Sequence, residues 1–241
     1  MSNFCLETTG LSHRFAGQGP VLQSVGLRVP EGSIFGFLGP NGAGKTTTLR
    51  LVLGLLKKQQ GEIRVLGQPF AEHRLAILRK LGSLIESPSI YAHLTASENL
   101  RILQKVYRCP LDRIDHVLQI TGLGETGGKK AGAFSLGMKQ RLGISIALLN
   151  DPLLLILDEP TNGLDPEGII EMRELFRQLN RQGVTILISS HLLGEMEKLI
   201  THAGIIHKGE LLFQGTLDEL RSGRNGDDLE TIFIQLTKKS A

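Results

Sequence analysis

Short runs of consecutive apolar residues alternate along the chain with segments of helical periodicity. These runs lack the period-two alternation of a half-exposed sheet, so they predict strands that are covered on both faces. Strand and helix signals that alternate in this way favour an α/β fold with a largely parallel sheet. The predicted strands are residues 33–38, 61–66, 153–157 and 184–188, together with a hairpin of residues 203–207 and 210–213.

The middle of the chain, from about residue 88 to residue 150, has a helical pattern instead. Thr95 suits a helix N-cap, and Glu98 three positions later completes a capping box. We therefore expect one domain, in which an α/β core carries a helical insertion and a short amphipathic tail. The core is approximately residues 1–87 and 151–220, the insertion 88–150 and the tail 221–241, and the predicted helices are residues 45–56, 111–123 and 135–149, with a glycine-rich connector at 122–132.

Composition narrows the possible partners. The formal charge is only +3, from 27 Lys+Arg against 24 Asp+Glu, and no dense basic patch stands out. This balance disfavours a nucleic-acid partner. The two cysteines lie far apart without metal-type spacing, which favours free thiols in a reducing compartment. No apolar run approaches the ~20 residues of a membrane span, and the start of the chain lacks a signal-peptide pattern, so we expect a cytoplasmic chain.

A complete phosphate-binding motif, G-x-x-x-x-G-K-[ST], stands between a predicted strand and a predicted helix. Its glycines let successive backbone N–H groups point at a phosphate chain, and the following helix adds its positive end. Lys45 suits the β- and γ-phosphates, and the Thr46 hydroxyl suits magnesium. A glycine-rich turn with an unrelated lysine is the alternative. The predicted nucleotide-binding residues are Gly39, Pro40, Asn41, Gly42, Ala43, Gly44, Lys45, Thr46 and Thr47.

Two adjacent carboxylates, Asp158 and Glu159, follow the apolar strand at 153–157. Ligands bind at the carboxyl ends of strands in open α/β sheets, and neighbouring residues point in different directions. Asp158 therefore suits holding magnesium, and Glu159 suits polarising the water that attacks the γ-phosphate. The alternative is a pair of solvated carboxylates in a turn.

The order of these and later motifs resembles the nucleotide-binding domain of ABC transporters over nearly the whole chain. Residues 134–141 (FSLGMKQR) resemble the signature segment, residues 162–165 (NGLD) the D-loop, and His191 the switch histidine. The resemblance implies a P-loop NTPase (RecA-like) core with an antiparallel β subdomain and a helical insertion. It also implies ATP and Mg²⁺ as cofactors, and catalytic roles for Glu159 and His191.

The signature keeps Ser135 and Gly137 of the family pattern, while Leu136 and Met138 replace a glycine and a glutamine. In the family these groups contact the γ-phosphate held by a second protomer, so the resemblance implies a head-to-tail homodimer. Asp165 of the D-loop is then expected at that interface. An ordinary helix start with a serine cap is the alternative for Ser135.

Two further positions bear on the nucleotide and on the branch of the family. Phe15 lies where the family carries an aromatic residue that stacks on adenine, although it could equally be a core residue. Glu86 stands where the family usually has glutamine, and the resemblance implies a metal contact there; a surface loop residue is the alternative. Glu86 and the Ser-Leu-Gly-Met-Lys-Gln signature resemble the branch that exports peptide antibiotics such as bacitracin and lantibiotics.

The expected function is therefore an ATPase subunit that powers export through separate integral membrane permease subunits. Such a subunit is peripheral, at the cytoplasmic face of the cell (inner) membrane. A soluble ABC ATPase acting on nucleic acid or ribosomes is the alternative, and the single ATPase unit, the lack of a CxxC motif and the short insertion disfavour it. A P-loop kinase or GTPase leaves the signature, D-loop and histidine unexplained.

Overall fold

The computed structural model describes residues 4–17, 19–222 and 226–238. The strands are β1 (Phe4–Arg14), β2 (Pro20–Val25), β3 (Arg28–Pro30), β4 (Ile34–Leu38), β5 (Gln60–Val65), β6 (Gln68–Pro69), β7 (Leu81–Leu84), β8 (Leu154–Asp158), β9 (Thr185–Ser190), β10 (His202–His207) and β11 (Glu210–Thr216). The helices are α1 (Lys45–Val52), α2 (Phe70–Leu78), α3 (Ala96–Tyr107), α4 (Asp112–Ile120), α5 (Leu136–Leu148), α6 (Pro166–Arg181), α7 (Leu193–Glu197), α8 (Leu217–Arg221) and α9 (Leu229–Lys238). These elements form two compact units, one within Met1–Ile77 and Thr185–Ala241 and the other within Leu78–Val184.

The first unit contains an antiparallel sheet built around β1. Its strand order is β2–β1–β5–β6, and β3 also pairs with β1. Leu6 of β1 pairs with Val29 on one side and with Val65 on the other, and all three side chains are buried. Burial of these apolar side chains stabilises the sheet and fixes its register, since a one-residue slip would turn them to the other face.

The first unit also contains parallel strands, in which β4 lies between β10 and β9. Every residue of β4 and of β9 is buried, as expected for parallel strands covered on both faces. The hairpin predicted from the sequence is present, because β11 pairs antiparallel with β10. Strand β9 extends two residues beyond the predicted end and includes Ser189 and Ser190.

The second unit combines one parallel strand pair, β7 and β8, with helices α3 to α6. Gly82 of β7 lies against α5 so closely that an added Cβ would be 2.3 Å from the carbonyl oxygen of Ala147. The buried hydroxyls of Thr121 and Ser145 are 2.7 Å apart and link the end of α4 to α5. The predicted capping box is present at α3, where the Thr95 hydroxyl accepts from the Glu98 N–H and the Glu98 carboxylate accepts from the Thr95 N–H.

Two predicted helices end earlier than their periodicity indicated. The helix predicted at residues 45–56 ends at Val52, and the helix predicted at 111–123 ends at Ile120. In each case a glycine follows in the left-handed region, Gly54 at φ 66° and Gly122 at φ 70°. At the first end the Leu55 N–H donates to the Arg50 carbonyl at 2.8 Å, so the helix closes in a Schellman motif.

Several elements carried no strong sequence signal. Strands β1 to β3 and helix α6 were absent from the sequence-based prediction, although Asp165 before Pro166 is a recognisable helix start. Helix α9 lies within the predicted tail and packs on α7, and its residues Leu229 and Ile232 are buried. The α/β fold class is confirmed. Among the residues placed by the structure, no helix has the length and apolar character needed to cross a membrane.

Candidate nucleotide site

The phosphate loop joins the end of β4 to the start of α1. Gly42 and Gly44 adopt positive φ angles of 79° and 106°, which favour glycine. Gly39 is required for another reason, because an added Cβ would lie 2.3 Å from the carbonyl oxygen of Ile206 in β10. The loop therefore has a tightly curled backbone held against a neighbouring strand, and α1 begins at Lys45 with its N–H groups at the loop.

Lys45 is held inside this loop. Lys45 is only 5% exposed, and its Nζ donates to the carbonyl oxygens of Gly39 at 2.8 Å and of Pro40 at 3.2 Å. These charge-assisted bonds keep an ammonium group at the concave side of the loop. A buried cation at that place, beside backbone N–H groups, is suited to a phosphate chain.

His191 lies near the start of the phosphate loop. Strands β4 and β9 run parallel, with Leu38 opposite Ser190, and the Gly39 N–H donates to the Ser190 carbonyl at 3.3 Å. The Ser190 hydroxyl accepts from the Leu192 N–H at 3.0 Å, which holds the turn that carries His191. The loop and the half-buried histidine therefore leave neighbouring strands at the same edge.

Phe15 follows β1 in the same unit and is half-buried. Its ring packs edge-to-face on His13, with ring centroids 4.8 Å apart and an interplanar angle of 82°. Part of the ring is accessible, so it can accept a flat ligand.

The predicted carboxylates follow the parallel strands of the second unit. Asp158 ends β8 and is 3% exposed, while Glu159 is half-buried. Leu84 of β7 is paired with Leu157 of the parallel strand β8. Glu86 lies two residues after Leu84, and Glu159 lies two residues after Leu157, so both follow the carboxyl ends of neighbouring strands. Both have positive φ angles, 62° and 49°, which are uncommon for residues other than glycine and cluster at functional sites.

These acidic groups of the second unit suit a hard cation because they offer only oxygen donors, as does the Thr46 hydroxyl of the first unit. Within the described ranges, no three His, Cys, Asp or Glu side chains form a cluster that could hold a metal by themselves. Mg²⁺ usually takes one or two protein oxygens and completes its shell with water and phosphate oxygens. The donor types therefore fit magnesium bound together with a nucleotide.

The signature segment forms the start of α5. Ser135 is the N-cap, and its Oγ accepts from the Met138 N–H at 3.2 Å. Ser135 is exposed and Gly137 is half-buried, while the side chain of Leu136 is also exposed. The serine cap and the phosphate contact expected from the resemblance are compatible, because the backbone N–H groups of the first turn still point out of the helix.

Asp165 caps α6 and lies in the same cleft as the signature. Its Oδ1 accepts from the Gly168 N–H at 2.8 Å, and Pro166 follows at the first helical position. The cleft has a volume of about 470 Å³ and is lined by Ser135, Gly137, Gly163 and Asp165 among others. The second unit thus brings the signature and the D-loop together.

Arg141 and Glu171, which sequence reasoning did not single out, lie in this cleft as well. The Arg141 Nη2 donates to the Glu171 Oε2 at 2.6 Å, and its Nη1 donates to the Thr121 carbonyl at 3.0 Å. Arg141 therefore joins α5 to α6 and to the end of α4. Its position at the end of the signature segment was the available sequence signal.

A buried parallel strand, a curled glycine-rich loop and a helix that begins at a buried lysine define a phosphate-loop nucleoside triphosphatase. A family model described as "ABC transporter" matches residues 22–162. The chain belongs to this family of ATP-binding transporter subunits, whose members hydrolyse ATP to power transport. ATP binding and the ATPase activity predicted from the sequence are thereby confirmed.

Relatives and solved structures agree with this assignment. The chain is 50% identical to a bacitracin transport ATP-binding protein of Bacillus licheniformis over 93% of this chain and 74% of the relative. It is 40% identical to a lantibiotic transport ATP-binding protein of Streptococcus pyogenes over 90% of this chain and 91% of the relative. A solved ATP-binding subunit of an ABC transporter is 32% identical, with a TM-score of 0.86 and coverage of 97% and 99%. The alternative of a soluble ATPase acting on nucleic acid or ribosomes is not favoured.

Proposed function

We propose that two copies of this chain bind Mg-ATP head to tail and that hydrolysis drives peptide-antibiotic export through integral membrane permease subunits. The chain would then be peripheral, at the cytoplasmic face of the membrane. The observation that carries the dimer is the start of α5, where the N-cap Ser135 is exposed, Gly137 is half-buried and the first backbone N–H groups have no partner within the helix. Anions bind at such a helix start, and in this family the anion is the partner's γ-phosphate.

Each predicted site residue takes one role in this proposal. The phosphate loop and Lys45 hold the phosphates, Phe15 stacks on adenine, and magnesium, when bound, neutralises phosphate charge. Glu159 orients and polarises the attacking water, and His191 contacts the γ-phosphate. The remaining roles fall to Thr46, Asp158 and Glu86 at magnesium and to Ser135, Gly137 and Asp165 at the dimer interface.

The permease would engage the second unit beside Glu86. A cavity of about 540 Å³ there is lined by Ile85, Tyr91, Leu103 and Tyr107 among others, and Tyr91 is 51% exposed. The Asn99 amide shapes the cavity wall, because its Oδ1 accepts from the Tyr91 N–H at 2.7 Å and its Nδ2 donates to the Thr95 carbonyl at 2.8 Å. An apolar cavity with exposed aromatic residues suits a short helix of a membrane subunit.

Peptide antibiotics are the proposed cargo because of the relatives and of two sequence features. Two of the relatives described above are ATP-binding proteins of bacitracin transport and of lantibiotic transport. Glu86 and the Ser-Leu-Gly-Met-Lys-Gln segment accord with that branch.

A Glu159→Gln variant tests the dimer and the catalytic role together. With Mg-ATP it is expected to form a dimer that persists in size-exclusion chromatography with light scattering, because hydrolysis no longer releases the two copies. ATP turnover is expected to fall by a factor of about 10² or more. ATP turnover at the native rate would rule out the role given to Glu159. If two copies of the variant fail to associate with Mg-ATP, even when the permease is present, the proposed dimer is ruled out.

The cargo needs a separate experiment in cells. Deletion of the gene is expected to lower the inhibitory concentration of bacitracin or of a lantibiotic, and the native gene but not the Glu159→Gln form should restore it. Erythromycin serves as an unrelated control. Unchanged sensitivity to both classes of peptide antibiotic would exclude them as cargo.

A further inference from the structure

His13 is a buried polar side chain whose polar atoms have no evident use in the fold. The residue is 7% exposed, on the same inward face of β1 as Leu11. Neither Nδ1 nor Nε2 has a hydrogen-bond partner among the residues that the structure describes. A buried polar group without a partner costs stability, and an apolar side chain of similar size would avoid that cost.

The His13 ring packs edge-to-face on the Phe15 ring, with centroids 4.8 Å apart. The interaction free energy of an edge-to-face pair exceeds what the burial of its apolar surface area alone contributes, and the pair restricts how each ring can rotate. His13 therefore restrains the orientation of Phe15.

The backbone between these two rings is held by a second contact. The Gln59 Oε1 accepts from the Arg14 N–H at 2.8 Å, and its Nε2 donates to the Arg14 carbonyl at 2.8 Å. The pairing of β1 with β2 shifts register on both sides of His13, although His13 and Arg14 still have partners in β2. The two bonds from Gln59 therefore add a restraint on the backbone at an irregular part of the strand, next to the residue from which Phe15 projects.

Gln59, His13 and Phe15 also line one open cavity of about 610 Å³. The same cavity is also lined by Arg14, Lys57 and Lys58, so positively charged side chains surround it. In this arrangement a partly accessible aromatic ring lies next to cations. None of these residues belongs to the phosphate loop. The cavity suits the base and sugar end of a nucleotide.

We propose that His13 and Gln59 are positioning residues that hold the Phe15 ring for stacking on the nucleotide base. This inference rests on the proposed role of Phe15. It assigns the base-binding part of the affinity to three residues, two of which act through the third. The phosphate part of the affinity does not depend on them.

The experiment compares Mg-ATP with Mg-tripolyphosphate, which lacks base and sugar. Dissociation constants of the full chain are measured by titration calorimetry for His13→Leu, Gln59→Leu and Phe15→Ala. Gln60→Leu is the matched control, since Gln60 is an exposed neighbour outside this cavity. Loss of one hydrogen-bonded clamp or one aromatic pair predicts an increase of roughly three- to tenfold in the Kd for ATP. The Kd for tripolyphosphate should stay within about twofold in all three variants, and Gln60→Leu should match the native chain for both ligands.

Stability provides a readout that separates positioning from plain packing. His13→Leu removes two unpartnered nitrogens, so its melting temperature should equal or exceed that of the native chain while ATP binds more weakly. In a double-mutant cycle, His13→Leu should have little effect on ATP binding once Phe15→Ala is present. If Phe15→Ala weakens ATP binding but His13→Leu and Gln59→Leu do not, the positioning role is wrong and the proposed role of Phe15 stands. If Phe15→Ala leaves ATP binding unchanged, both are wrong.

Discussion

The backbone N–H of Gly39 donates a 3.3 Å hydrogen bond to the carbonyl oxygen of Ser190. This bond continues the pairing of β4 with β9 by one residue beyond Leu38 and Ser190. It ties the first residue of the phosphate loop to the residue before His191.

Gly39→Ala is expected to destabilise the chain and to impair ATP binding. The added Cβ would lie 2.3 Å from the Ile206 carbonyl oxygen in β10. The phosphate loop must therefore shift away from β10 to accommodate it. Overpacking of this kind costs about 1–3 kcal/mol of unfolding free energy, measured by urea denaturation. Gly26→Ala is the control, because its Cβ would meet only the Thr8 carbonyl at 3.8 Å and the cost should be within about 0.5 kcal/mol. Equal stabilities would contradict the close approach.

Lys45→Ala is expected to weaken Mg-ATP binding at least about a hundredfold. The variant removes the buried cation that the Gly39 and Pro40 carbonyls hold at the loop, and each charge-assisted bond to a phosphate contributes about 1.5–3 kcal/mol. Titration calorimetry measures the change. Lys105→Ala, at an exposed lysine of α3, controls for the loss of one positive charge and should bind ATP within about threefold of the native chain. Tight Mg-ATP binding by Lys45→Ala would refute the phosphate-loop assignment.

Glu86→Gln tests the departure from the family's usual residue. The amide keeps an oxygen donor for magnesium but lacks the negative charge. The magnesium concentration that gives half-maximal ATPase activity should therefore rise by roughly three- to tenfold, while kcat at saturating magnesium changes little. Glu125→Gln, at another exposed glutamate of the second unit, should leave the magnesium dependence unchanged. A variant with native magnesium dependence would remove Glu86 from the metal site.

The capping box of α3 predicts a pH-dependent contribution to stability. Hydrogen bonds to the Glu98 carboxylate hold its pKa below the ordinary value of 4.5. The bond from the Thr95 backbone N–H has the largest effect, and the bond from the Lys130 side chain has the next largest. Because the folded pKa is the lower one, the contribution is complete above pH 4.5 and is lost as the pH falls through the folded pKa. Glu98→Gln should therefore melt below the native chain at pH 7 and approach it under acid conditions. A difference that stays constant with pH would show that the charge of Glu98 has no part in it.

Local residue patterns were sufficient for the elements that carry their own signals. The phosphate loop between β4 and α1, the capping box at Thr95 and the buried strands β8 and β9 were predicted within one or two residues. The ends of α1 and α4 were misplaced, because apolar periodicity continues past Gly54 and Gly122. Strand β1 was missed because it pairs with β2, β3 and β5, and those partners lie up to about sixty residues away.

The sequence by itself determined the α/β class and the strand–loop–helix order of the phosphate loop, and it supplied the proposed site residues, because these depend on residue types at short spacing. The tertiary structure alone decided which strand ends meet. It placed Gly39 beside Ser190, Glu86 two residues past a position paired with β8, and the Gln59 side chain on the backbone of Arg14. Strand register and side-chain clamps join positions tens to more than a hundred residues apart, and they depend on how buried faces pack together rather than on any local pattern.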